Sequence, residues 1–308
     1  MPEITPHKSS FKLRGNFVGR QNPGFLKNGK TKDGFDWKRV NFGIKTSEKQ
    51  IVYCQKMGMV RAKVTAYNKE LGVSKDYTWE ERLTAKPETG FFLAKQDWDV
   101  VEEIEKLNDG DSVVVIGEIE FSEYNGNSII RFLAKSIYPA TEQINFDEGG
   151  EGEAIFTQEV TVSEAKYVKE DEKVLISAYV FRNLGKDKHP SCNLAEFYVV
   201  KDEEMIGFAR NMTKLKYGDT LTLQGQIINS VTETEKVVDE WGVTPAKKTV
   251  TKGFRVTTVA EKGDFQRGLY TEEQITQLIK DNQAEKMFGA GGTSNLEEEI
   301  KSGNVLPF

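Results

Sequence analysis

One stretch of this chain occurs twice. Lys106-Leu-Asn-Asp-Gly-Asp-Ser-Val-Val-Val-Ile-Gly-Glu-Ile119 returns as Lys214-Leu-Lys-Tyr-Gly-Asp-Thr-Leu-Thr-Leu-Gln-Gly-Gln-Ile227, at a constant offset of 108. Lys, Leu, Gly, Asp, Gly and Ile coincide in identity, and Ser112 with Thr220, Val113 with Leu221 and Val115 with Leu223 coincide in character. A match of that kind marks a repeated supersecondary unit, so whatever the architecture is, it is built twice. The 308 residues suit two or three domains, each large enough to bury a core.

Upstream of each copy, near-helical apolar spacing predicts an amphipathic helix: Trp98, Val101, Ile104 and Leu107 in the first, Ile206, Ala209, Met212 and Leu215 in the second. The helix runs into a Gly-Asp turn and then into a strand interrupted by a glycine, which suits a bulge or tight bend in a curling sheet. A further strand follows, 128–137 in the first half and 253–259 in the second. Alternating segments precede each helix: 11–19, 37–45 and 60–67, then 154–162, 173–182 and 194–200. Register in the first half is open, because 46–60 offers more strand-like sequence than five strands require. Three strands, a helix, then two strands is the element order of an OB-fold, a small partly open Greek-key barrel. Another small barrel or a sandwich with one inserted helix competes with it, since periodicity does not set strand order.

The expected organisation is therefore mainly β: two tandem OB-fold-like five-stranded barrels, each with a helix between strands three and four. The first covers 1–143 and the second 154–263, joined across 144–153, an acidic Gly-rich linker that reads as unable to bury a core. Thr271-Glu-Glu-Gln274 is a capping-box signature that opens a C-terminal helix within 264–289, with Ile275, Leu278 and Ile279 as its stripe. Residues 290–308 read as a flexible acidic tail.

The formal net charge of -6 hides an asymmetry. Residues 1–56 hold 12 Lys or Arg against 4 Asp or Glu, a balance of +8; residues 57–150 stand at -8, 151–268 at -2 and 269–308 at -4. A basic front binds a polyanion while an acidic end stays free for partners; the alternative is a solvated surface of uneven charge. Aromatic side chains favour the first. Arg14, Phe17, Arg20, Phe25, Lys27, Lys30, Lys32, Trp37, Lys38 and Arg39 interleave cations with rings. Single-stranded nucleic acid needs that combination: cations neutralise successive phosphates, and flat rings accept unstacked bases at about 1–3 kcal/mol each. Phe17 and Phe42 also suit core positions on alternating strands, whereas Phe25 and Trp37, beside loop glycines, are the better stacking candidates. The second half carries a weaker version in Tyr179, Phe181, Arg182, Lys186 and Lys188, with Lys247 and Lys248 in the excursion 230–253, which otherwise reads as a solvated hairpin.

Catalytic apparatus is not visible. The chain has no Walker A loop, GxSxG elbow, HExxH helix or GxGxxG after a strand. His189 and Cys192 are spaced like a ligand pair, but a structural zinc needs four ligands, and His7 and Cys54 are far away in sequence. No cofactor or metal is expected. No run approaches the roughly 18 apolar residues of a membrane helix, the start lacks a secretory stretch, and two cysteines are too few for a disulfide framework. Cytoplasm is the expected location, with no membrane partner.

With tandem candidate OB-folds, a basic-aromatic front and an acidic tail ending Val305-Leu-Pro-Phe308, the chain resembles single-stranded DNA-binding proteins of replication, particularly those of bacteriophages. That resemblance implies a non-catalytic protein that binds and protects single-stranded DNA in replication or recombination, in the host cytoplasm if phage-encoded. It also implies that Leu306, Pro307 and Phe308 dock on replication or recombination proteins. The sequence departs from the bacterial pattern in three ways: Leu replaces Ile in the tip, Lys301 interrupts the acidic lead-in, and two domains share one chain. A structural or interaction protein, such as a virion component built from small β-barrels, is the rival reading. A barrel-based nuclease would need a carboxylate cluster for Mg²⁺.

Overall fold

Strict alternation in 9–18 produces β1 (Ser9–Val18), with Phe11, Leu13, Gly15 and Phe17 inward. Residues 2–124, 127–183, 189–233, 237–239, 242–244, 248–260 and 265–288 are described by the structure, a computed structural model. The first half continues with β2 (Leu26–Lys30), β3 (Asp36–Ser47), β4 (Gln50–Met59), β5 (Lys63–Asn68), β6 (Val73–Thr78), β7 (Phe92–Leu93), α1 (Asp97–Ile104), β8 (Ser112–Tyr124) and β9 (Asn127–Pro139). The second contains β10 (Glu153–Val168), β11 (Lys173–Arg182), β12 (Ser191–Val200), α2 (Ile206–Met212), β13 (Thr220–Glu233), β14 (Val237–Asp239), β15 (Gly242–Thr244) and β16 (Lys248–Val259), and α3 (Glu272–Phe288) follows. The fold is mainly β, as expected, and α1 and α2 stand where the repeated apolar spacing puts them.

Backbone pairing returns to its starting strand in each half. From β1 it passes to β3, β4, β9 and β8 and back to β1; every step is antiparallel except β4 to β9, which is parallel at Cys54↔Phe132 and Gln55↔Leu133. In the second half it passes from β10 to β11, β12, β16 and β13 and back, again with one parallel step, Tyr198↔Arg255. The third strand of the first circuit is β4, not the expected 60–67. Val52 and Cys54 face the core from β4, while 63–68 forms β5, the middle strand of a separate three-stranded sheet, β6-β5-β7, inserted before α1.

The repeated residues have repeated jobs. Gly110 and Gly218 adopt positive φ, and each following Asp closes its turn: the Asp111 carboxylate accepts from the Asn108 N–H at 2.8 Å, that of Asp219 from the Lys216 N–H at 2.9 Å. Gly117 and Gly225 sit at the bulges, where the register slips between Ile116 and Gly117 and between Gln224 and Gly225. A Cβ there would lie 2.1 Å from the Leu133 carbonyl oxygen or 1.9 Å from that of Arg255.

The halves are joined by a β1–β10 ladder from Ser9↔Gln158 to Arg14↔Glu153 and by a bridge between Gln50 and Ser230. Phe11 opposes Gly117 in its own circuit and Phe156 opposes Gly225, and Phe11 and Phe156 oppose each other. A pseudo-two-fold axis therefore passes through the ladder. One continuous core spans both circuits. At its centre Phe254 lies 5.1–6.3 Å from the rings of Phe121, Phe132, Phe156 and Phe197. The connection at 144–153 is not an unpacked tether. Ile144 and Phe146 are buried, the Asn16 side-chain amide donates to the Ile144 carbonyl, and Lys45 covers the Phe146 ring.

The capping box before α3 forms in both directions: the Thr271 N–H donates to Gln274 Oε1 and the Gln274 N–H to Thr271 Oγ1. Ile275 and Leu278 then pack with Phe181 and Tyr270, laying α3 beside β12. Among the described residues no helix is long and apolar enough to cross a membrane.

Candidate nucleic-acid interface

Alternation sorts β3 and β4 into two faces. Val40, Phe42, Ile44, Val52 and Cys54 point into the core, which leaves Trp37, Arg39, Asn41, Gln55, Met57 and Tyr53 on the outer face. β2 extends that face, pairing Lys27 with Arg39 and Gly29 with Trp37. Gly29 lets the indole lie against the strand, since a Cβ there would come within 2.9 Å of the ring. Arg131 approaches from β9. Burial and the neighbouring Arg131 charge both lower the pKa of Arg39, and burial with Arg39 lowers that of Lys27. The outward positions of β3 and β4 carry no carboxylate. Tyr53 and Met57 are 37% and 46% exposed, so the face offers flat and polarisable surface beside its cations.

Three aromatic residues of the expected binding set, with Phe25 the stacking candidate and Phe17 already suited to the core, are corrected. Phe17 is fully buried and stacks on Phe42 at 5.4 Å, and Phe25 is 5% exposed, edge-on to Phe17 beneath the Arg20 guanidinium. Both complete the core instead of facing solvent. Phe181 is also fully buried, against Tyr270 and His7. Several cations are diverted as well. Arg14 donates to the Glu151 carbonyl, Lys30 pairs with Asp36 at 2.8 Å, and Lys38 runs inward to Glu105 at 2.8 Å. Arg182 bridges the halves by pairing with Glu120 and Glu118. Arg20 anchors the loop after β1 through its N–H to Asp109, and Lys32 is exposed at the tip of the β2–β3 turn. Tyr179 lies edge-on to Tyr217 at 6.2 Å, beside α3. Lys186, Lys188, Lys247, Leu306, Pro307 and Phe308 lie outside the described residues, as does the side chain of Lys248.

Of the expected set, Lys27, Trp37 and Arg39 come together on one surface. Tyr53, Gln55, Met57 and Arg131 join them and were missed. For the β4 residues the signal was present as alternation in 50–59; Arg131 is brought in by the parallel β4–β9 pairing, which no local pattern predicts.

The pseudo-two-fold supplies an internal comparison. Following the ladders, Trp37, Arg39, Asn41, Tyr53, Gln55, Met57 and Arg131 correspond to Asp171, Lys173, Leu175, Glu196, Tyr198, Val200 and Gly253. In the second half the ring facing the cation has become an acid that pairs with it, Asp171 with Lys173 at 2.7 Å. The hairpin strand β2 is also missing: residues 169–172 span a connection that takes 19–35 in the first half. The second face is thus smaller and electrically mixed, and α3 lies along its far end. Among the described residues no three His, Cys, Asp or Glu side chains group as a metal site.

The chain belongs to the YorF family, which matches it over residues 15–290. Among solved structures, it is similar to the wild-type single-stranded DNA binding protein from Thermus aquaticus, at 13% identity and a TM-score of 0.39, covering 73% of this chain and 87% of that one. It is likewise similar to a deletion variant of that protein, at 14% identity and 0.39, covering 74% and 89%. No curated protein matches the sequence.

Proposed function

We propose that each pairing circuit is an OB-fold-like barrel and that the outer face of β2, β3, β4 and β9 binds single-stranded DNA without catalysis. The observation that carries this reading is the surface on which Lys27 and Arg39 flank Trp37 and Tyr53 with no carboxylate at the outward positions of β3 and β4, while Arg131, paired with Glu120 at 3.8 Å, stands at its edge. Like charges held this close repel one another, and a row of phosphates relieves that repulsion while releasing counterions. Trp37 and Tyr53 supply base-stacking surface that tolerates any sequence, as a coating protein in replication or recombination requires. Duplex DNA keeps its bases stacked inside and gains only the electrostatic part.

Salt-titrated binding of fluorescent single strands and duplex tests the proposal. Three neutralised phosphates give a slope of log affinity against log salt of about -2 for single strands, at about 0.7 per phosphate. The double variant Trp37→Ala/Tyr53→Ala loses about 30-fold or more across all base compositions, from about 1 kcal/mol or more for each of two stacked bases. A flat salt response, or a double variant that binds as wild type, refutes the reading.

A further inference from the structure

The pseudo-two-fold also exposes a difference beneath the helices. In the first half Gly58 lets α1 close onto β4, where a Cβ would lie 2.5 Å from the Trp98 Cα. The Trp98 indole packs there with the Lys38 ammonium 4.9 Å from its ring centre, and its N–H donates to Glu102 at 2.7 Å. The register that matches Arg39 to Lys173 and Met57 to Val200 puts Lys201 where Gly58 stands. The repeat likewise puts Ile206 in place of Trp98, Arg210 in place of Glu102 and Thr213 in place of Glu105. A side chain thus replaces a glycine contact, and a smaller group replaces an indole. The result is a cavity of about 310 Å³ lined by Val174, Ile206 and Ala209 with Tyr167, Lys201 and Arg210.

We propose that this cavity is a ligand site for a small aromatic carboxylate of about indole size. The apolar floor takes the ring, in the volume that Trp98 occupies in the other half, and the volume lies in the usual range for small-molecule sites. The cationic rim takes the acid. Lys201 Nζ stands 3.5 Å from the Tyr167 hydroxyl and 4.9 Å from its ring centre, and neither Lys201 nor Arg210 has a carboxylate in ion-pair range among the described residues. In the first half Glu102 stands at the Arg210 position, Glu105 at that of Thr213 and Gly58 at that of Lys201, so the positive charge over the apolar floor belongs to the second copy. This site is separate from the nucleic-acid face and does not depend on that reading.

Titration of the full chain with indole-3-acetate, followed by calorimetry and by chemical shifts, tests the assignment. The expected result is saturable one-to-one binding, with indole and tryptamine at least about tenfold weaker because the charge-assisted contact is lost or reversed. Ile206→Trp refills the space with the residue its twin uses and abolishes binding. Arg210→Ala, at an exposed position, weakens it about tenfold while leaving the fold intact. Absence of saturable binding at millimolar ligand, equal binding of tryptamine, or binding that survives Ile206→Trp in a folded protein overturns the proposal.

Discussion

Replacing Phe254 by Ala tests whether the two circuits are one cooperative unit. Its ring is 3% exposed and lies 5.1 Å from Phe156, 5.4 Å from Phe197, 5.6 Å from Phe121 and 6.3 Å from Phe132, the last two contributed by the first half. Truncation removes one ring from the midst of four others, which cannot collapse together without disturbing both circuits. The expected cost is therefore well within the usual range for buried Phe→Ala, about 4 kcal/mol. That is a large share of the roughly 5–15 kcal/mol a folded protein has in reserve. The assay is urea unfolding in a Trp241→Phe background, so that fluorescence reports Trp37, Trp79 and Trp98, all in the first half, while circular dichroism reports the whole chain. Both probes should show one transition at the same lowered midpoint, with the slope unchanged. A fluorescence midpoint that stays at its Phe254 value while the dichroism splits into two steps would refute the continuous-core argument.

The internal comparison predicts an asymmetric response in DNA binding. Arg39→Gln weakens it several-fold and lowers the salt slope by about 0.7, whereas Lys173→Gln, at the matching position already paired with Asp171, changes it less than about twofold in the same titration. His7 predicts an acid sensitivity. It accepts from the Phe181 N–H through Nδ1 and faces Thr161 with Nε2, and burial lowers its pKa to about 3. Between the ordinary value near 6.5 and about 3 the unfolded chain binds a proton that the folded chain does not, so stability falls as pH drops through that window, by at most about 1.4 kcal/mol per pH unit. Unfolding midpoints of wild type and His7→Ala measured from pH 7 to 4 should converge as the pH falls, and parallel curves would exclude His7 as the cause.

Much of the architecture could be read without coordinates, because its signals are local. The Gly-Asp turns, the two helices and the capping box before α3 depend on conformations and hydrogen bonds among residues close in the chain. Strand 50–59 was harder to place, since 60–67 alternates equally well and only long-range pairing with β3 and β9 distinguishes them.

Composition and spacing by themselves determined that the chain is built twice, is mainly β, and gathers its cations and rings near the front. Tertiary structure decided which of those groups face outward. Phe17, Phe25 and Phe181 satisfy the same pattern as Trp37, yet a ring on a strand is core or surface according to what packs across from it, and that partner comes from a distant segment. Charge behaves likewise: Arg39 and Lys173 occupy matching places, and only the fold decides their neighbours, the Arg131 charge beside Arg39 in one case and the Asp171 carboxylate paired with Lys173 in the other.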